Sequence, residues 1–153
     1  MNIYSISINE IKLDKNLVKQ LKQLSRNTTG EQLKIFDGDL AIIAKFNTKV
    51  VGMCNIAMIS PESHFTNETD KKIPYLYNYM CSHSHHSKKV SVAIMTFIKD
   101  LINVGEYEKE INLDVMVDND HAINFFKKNQ FIECGDYNQS IKEYKMFTYK
   151  MLA

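Results

Sequence analysis

Between residues 88 and 104 the apolar side chains Val90, Ala93, Ile94, Phe97, Ile98, Leu101 and Ile102 recur at i, i+3, i+4 and i+7 without a break. No other stretch of the chain is so strongly periodic at the helical repeat, and Gly105 ends it. β-Rich runs stand on both sides, "YLYNYMC" before and residues 110–117 after. A strand, a crossover helix and a second strand predict at least one parallel pair, because a tight turn cannot join parallel neighbours.

The flanking regions predict antiparallel neighbours for that pair. Residues 2–8 alternate and read as a first strand. Leu13, Leu17, Leu21 and Leu24 then recur at helical spacing, with Asp14 near the start. "TTGEQLKIF" sets Glu31 three residues after Thr28, a capping-box pattern that predicts a short second helix, which Gly38 breaks. "DLAIIAKF" and "VVGMCNIAMI", joined by "NTK", predict a hairpin. Residues 61–74, polar and bounded by Pro61 and Pro74, predict an exposed loop. A helix over about 119–129 follows the fifth strand, and "FIEC" and "YKMFTYKML" close the chain around a polar loop. A mixed sheet covered by helices, in the α/β (α+β mixed) class, follows from this order. The 153 residues suit one domain, 1–153, with one core.

Composition narrows the function classes. The formal net charge is +1, and no basic stripe is evident in the sequence, so a nucleic-acid partner is not expected. Arg26 is the single arginine, which leaves almost no bidentate grip on phosphate or carboxylate. Cys54, Cys81 and Cys134 have no CxxC spacing and read as reduced thiols, which predicts a soluble, cytoplasmic protein. The N-terminus lacks the basic flank and apolar core of a signal peptide. No apolar run reaches the roughly 20 residues of a membrane span. "HSHH" at 83–86 lacks a second ligand cluster, so no metal is expected.

Chemistry concentrates at "YMCSHSHHSKKVSVAIM", residues 79–95. The strand ends at about Ser82 and the long helix begins at about Ser87, with Lys88 and Lys89 in its first turn. A helix N-terminus already carries partial positive charge, so two lysines there are unfavourable unless an anion is bound. Free amides beside ammonium groups suit a phosphate or diphosphate, although lysines splayed into water would carry only a small cost. Asp114 interrupts an apolar strand and needs a partner or a role.

At these residues the chain resembles the GNAT acetyltransferase superfamily. That family has a strand, a loop Q/R-x-x-G-x-G/A and a long helix whose first amides bind the pyrophosphate of coenzyme A. His86, Ser87, Lys88, Lys89, Val90 and Ser91 lie on that loop without a gap. Further on, the family pattern V-x-x-x-N-x-x-A-x-x-F-Y-x-x-x-G-F meets Val115, Asn119, Ala122, Phe125, Phe126, Gln130 and Phe131. The departures are Lys89 and Ser91 in place of both loop glycines, His86 for the Arg or Gln, Gln130 for the last glycine, and Phe126 for the Tyr that serves many members as general acid.

The resemblance implies a mostly antiparallel sheet of six to seven strands, about four helices, and a fourth and fifth strand splayed apart to admit the pantetheine arm. It implies an acetyl-CoA-dependent N-acetyltransferase, an acyltransferase acting by direct attack of an amine on the thioester. Met80, Cys81 and Ser82 would line the cofactor arm, with a backbone N–H among them as oxyanion donor. Asn119 would touch the arm, cap the following helix, or do both. The family often has an acid at the position of Tyr77; candidates for the base here are Glu62, His83, His85 and Asp114, with Tyr77 beside them. Phe126 donates no proton, so water, Tyr137 or Tyr144 would serve, or the thiolate would leave bare. A small amine or amino sugar is the expected acceptor, and a homodimer is compatible with the chain. Cys81 reads as packing, and Tyr75, Tyr77 and Tyr79 as a pocket wall. The competing reading is a GNAT-shaped binding or regulatory module that has lost catalysis.

Overall fold

The computed structural model describes residues 1–59, 71–83, 87–139 and 142–151. Among them the order is β1 (Asn2–Ser7), α1 (Ile8–Ile11), α2 (Lys15–Thr29), β2 (Leu40–Phe46), β3 (Lys49–Ile59), β4 (Ile73–Cys81), α3 (Ser87–Val104), β5 (Glu110–Met116), α4 (Asp120–Lys128), β6 (Ile132–Gln139) and β7 (Lys142–Lys150). The strand order is β1-β2-β3-β4-β5-β7-β6. β1–β2, β2–β3, β5–β7 and β6–β7 run antiparallel, while β4–β5 is parallel, as the crossover helix requires. That parallel ladder consists of two pairs, Tyr75↔Asn112 and Leu76↔Leu113. The mixed, mostly antiparallel sheet with four helices is the expected fold class.

Contacts divide the chain into two compact units, Met1–Ala57 with Tyr77–Leu101, and Met58–Leu76 with Ile102–Ala153. In the first, β2 and β3 are buried on both faces, which explains the unbroken apolar runs at 41–44 and 50–54. Met53 and Ile43 join Ile8, Ile11, Leu17, Leu21 and Leu24 of α1 and α2 in one core cluster. Gly52 points to the other face: a Cβ there would stand 2.7 Å from Val90 Cγ1 and 2.8 Å from Ile94 Cδ1. The missing side chain is what lets α3 settle so close to β3. In the second unit Ile111, Leu113 and Val115 alternate inward along β5, with Ile123, Phe126, Phe131 and Phe147 also buried.

Three local expectations change. Ser7 Oγ accepts from the Glu10 amide and starts the four-residue α1, too short to leave a periodic trace. The second helix expected from Thr28 and Glu31 does not form. α2 runs on to Thr29, and Gly30 stops it at φ 73, the left-handed conformation glycine adopts without steric cost. Thr28 instead donates to the Leu24 carbonyl at 2.8 Å, inside the helix. The closing strands β6 and β7 extend into the stretch read as a polar loop. The exposed loop expected over 61–74 lies mostly outside the described residues, and β4 already begins at Ile73.

Candidate active site

In the first unit, β4 delivers the chain to the N-terminus of α3. Met80 is buried, with its sulfur 3.5 Å from Thr28 Oγ1. Ser91 Oγ donates to Cys81 Sγ at 3.1 Å. Burial pushes the Cys81 thiol up, so it stays protonated at neutral pH and is no nucleophile, in line with a packing role. The Ser82 amide donates to the Val51 carbonyl at 2.8 Å. Ser82 therefore drops out as an oxyanion donor.

Ser87, Lys88, Lys89, Val90 and Ser91 all lie in the first turns of α3. The two positions where glycine was missing, Lys89 and Ser91, take ordinary helical conformation, so neither needs glycine's backbone freedom. Lys88 and Lys89 are exposed, and among the described residues neither forms an ion pair. Val90 is 1% exposed and anchors the turn against Gly52. Tyr79 donates its hydroxyl to the Ser91 carbonyl at 2.5 Å, tying β4 to the same turn. α3 thus opens on a turn anchored by Val90 and Tyr79, with two exposed lysines in it.

Tyr77 points elsewhere. Its hydroxyl donates to Asp39 Oδ2 at 2.5 Å, and its ring tilts against Phe36 at 5.9 Å between centroids. Burial, and next the Asp39 carboxylate, drive its pKa well above the ordinary phenol value. Tyr77 keeps its proton and cannot act as a base. Between Tyr77 and Tyr79, Asn78 sits at φ 51 and donates to Asn55 Oδ1 at 2.8 Å and to the Lys34 carbonyl at 2.7 Å. The three tyrosines expected to form one wall therefore have three different partners.

The second unit holds the other candidates. Asp114, half-buried on β5, accepts from the hydroxyl of Tyr75 on β4 at 2.5 Å. The sequence reading named the aspartate and missed the tyrosine as its partner, since 39 residues separate them. Asn119 Oδ1 accepts from the Ala122 amide at 3.2 Å, the N-cap of α4. Phe126 is 6% exposed and lies between Phe125 and Phe131, with centroids 5.3 and 5.5 Å away. It serves the core. Glu62, His85 and His86 lie outside the described residues, His83 is exposed after β4, and Tyr144 is half-buried on β7. Among the described residues no group of three His, Cys, Asp or Glu is placed to hold a metal ion, and no helix is long and apolar enough to cross a membrane.

The family model for GNAT acetyltransferases matches residues 11–131. No curated protein sequence matches the chain. Among solved structures, the aminoglycoside 6'-N-acetyltransferase of Enterococcus faecium is 13% identical over 100% of this chain and 98% of its own, with a TM-score of 0.74. Arabidopsis thaliana NAA60 in complex with acetyl-CoA is 12% identical over 98% of this chain and 100% of its own, with a TM-score of 0.73. A ribosomal-protein alanine N-acetyltransferase of Escherichia coli is 11% identical over 99% of this chain and 97% of its own, with a TM-score of 0.70.

Proposed function

This chain belongs to the acetyltransferase (GNAT) family, and on that premise we propose that it transfers an acetyl group from acetyl-CoA to a primary amine, that of a small amine or amino sugar. When bound, acetyl-CoA supplies a thioester that the amine attacks directly. The residues of the first unit fit the nucleotide end of that cosubstrate. The amides opening α3, with Lys88 and Lys89 beside them, form a donor set of the right sign for a diphosphate. The amides of Met80 and Cys81 remain the candidates for the oxyanion, because that of Ser82 is taken by Val51.

The second unit supplies proton transfer, and the hydrogen bond between Tyr75 and Asp114 is the single observation that carries the reading. The acceptor arrives as an ammonium ion, of pKa near ~10.4 for an alkylamine, and must lose a proton before it can attack. Asp114 takes that proton through the Tyr75 hydroxyl. The C–N bond then forms, the second proton of the attacking nitrogen passes to water, the C–S bond breaks, and the thiolate leaves bare and takes its proton from water. The pair provides the base that the position of Tyr77 lacks, and a thiol of pKa near ~8.5 leaves as the thiolate without the acid that Phe126 cannot be.

The test is calorimetry with acetyl-CoA, followed by thiol release on a panel of aminoglycosides, polyamines and peptide amines. Micromolar binding with turnover on a small amine or amino sugar is expected. Turnover confined to peptide amines overturns the acceptor class. Binding without turnover on the whole panel replaces the enzyme by a binding module.

A further inference from the structure

The outer face of α2 has no part in the acetyl-transfer reading. Lys15, Lys19, Lys22 and Arg26 follow one another at steps of four, three and four residues, and Lys12 precedes them by three. All five are exposed, while Leu17, Leu21 and Leu24 bury the opposite face. At a helical rise of ~1.5 Å per residue the stripe from Lys15 to Arg26 is about 16 Å long. α2 contains no acidic residue. Lys15–Lys19 and Lys22–Arg26 are like-charged i, i+4 pairs, each unfavourable by roughly 0.2–0.5 kcal/mol. Lys15 also opens the helix, where its dipole disfavours a cation. Of the five, only Lys12 has an ion pair among the described residues, with exposed Asp37 at 2.5 Å.

The five cations share one open face of α2 with half-buried Val18 and exposed Gln23. The near-zero net charge conceals this face. The first unit carries eleven Lys and Arg against six Asp and Glu, the second eight against twelve.

We propose that this face of α2 binds the phosphodiester backbone of a nucleic-acid strand without reading its sequence. The stripe is linear and matches the run of charges along an extended polyanion, and the leucines of α2, committed to the core, leave no apolar area to add to an electrostatic hold on a bilayer. Four of the five cations are lysines, point charges suited to phosphates rather than to bidentate recognition of base edges. No aromatic side chain stands among these residues to stack a base. Affinity must then be electrostatic, released by salt and indifferent to sequence.

The experiment measures anisotropy of labelled single-stranded oligonucleotides with the full chain across a salt series, beside the variant Lys15→Gln/Lys19→Gln/Lys22→Gln. At low salt we expect Kd on the order of 10⁻⁵ to 10⁻⁶ M, equal for two unrelated sequences. Each phosphate contact adds roughly 0.7 to the slope of log K against log salt, so the variant loses about 2 from that slope and at least tenfold in affinity. Circular dichroism of the variant, with its like charges removed, should show a melting temperature no lower than that of the parent. Absence of binding at low salt, equal binding by the folded variant, or tighter binding to phosphatidylserine vesicles or polyglutamate of matched charge would each overturn the proposal. Acetyl-CoA affinity, read separately, stays unchanged in the variant.

Discussion

The two central strands, β4 and β5, each lead to a helix, and the two joints are built on opposite electrostatic logic. Where β5 meets α4, Asn119 caps the first turn, Asp120 follows it, and Lys127 and Lys128 close the last. Every charge opposes the helix dipole, and the joint is complete within the chain. Where β4 leads to α3, the first turn carries Lys88 and Lys89 and no acid. The far end of α3 is well served, since Lys109 Nζ donates to the carbonyls of Ile102, Asn103 and Gly105 at 2.7–3.0 Å. The chain thus places a cation correctly at the end of α3 and two incorrectly at its start. A local rule broken beside a rule obeyed marks the place where a ligand completes the structure.

The largest effect should come from the strand that feeds the well-formed joint. Asp114→Asn removes the acceptor of the Tyr75 proton and should lower kcat/KM by about 10²–10³-fold. Tyr75→Phe should do the same, and the double variant should be little worse than either, because the pair acts as a unit. Acetyl-CoA affinity by calorimetry should not move in any of the three. A loss below threefold in both single variants removes the pair from the mechanism.

Next comes the charge-inverted joint. Lys88→Gln/Lys89→Gln should weaken acetyl-CoA binding by about tenfold, the value of one or two charge-assisted hydrogen bonds. In the free protein the same change should raise the melting temperature, since it relieves repulsion from the helix dipole. A gain in stability together with a loss of affinity is what separates an anion site from two solvated lysines. Unchanged affinity would make the two joints equivalent, with Lys88 and Lys89 merely solvated.

The sequence carried these two joints unequally well. The periodic face of α3 and the Asn at the start of α4 were both legible, because each rests on residues near one another in the chain. The Tyr75–Asp114 bond was not, because it joins two strands whose register no local pattern reports. Thr28 and Glu31 fitted a capping box, yet Gly30 at the left-handed stop and the tertiary burial of Leu17, Leu21 and Leu24 along the helix decided the boundary instead. The basic stripe of α2 escaped for a different reason: the leucine period that identifies the helix draws the eye to its buried face, and the lysines interleaved with it read as ordinary solvation.

A smaller effect tests the complete joint. Asn119→Ala should cost about 1 kcal/mol of stability in denaturant unfolding, the usual value of a lost N-cap, and Asn119→Asp should keep most of it. In both, the change in acetyl-CoA affinity should stay well below that of the lysine variant. If Asn119→Asp retains stability but loses affinity as strongly as the lysine variant does, the side chain grips the cosubstrate as well as the helix, and the second joint too is partly built for a ligand.

The far end of α4 offers the finest test. Gln130 follows the C-cap Asn129 at φ 69, where a side chain is crowded and glycine is not. The conformation is held from both sides: the Gln130 amide donates to the Lys127 carbonyl and the Phe131 amide to that of Phe126, each at 3.0 Å. Phe131 is 3% exposed, and its ring meets Phe126, so the turn cannot relax without moving the core. The exposed Gln130 side chain contributes little in exchange. Gln130→Gly should therefore stabilise the protein by about 0.5–1 kcal/mol, less the entropy glycine adds to the unfolded chain. Because α4 is already complete at its N-terminus, the gain should appear in the melting temperature and leave kcat/KM unmoved. A drop in kcat/KM would mean that the strained turn positions Asp114 or Asn119 for the reaction, and that the second joint stores at its far end what the first displays at its start.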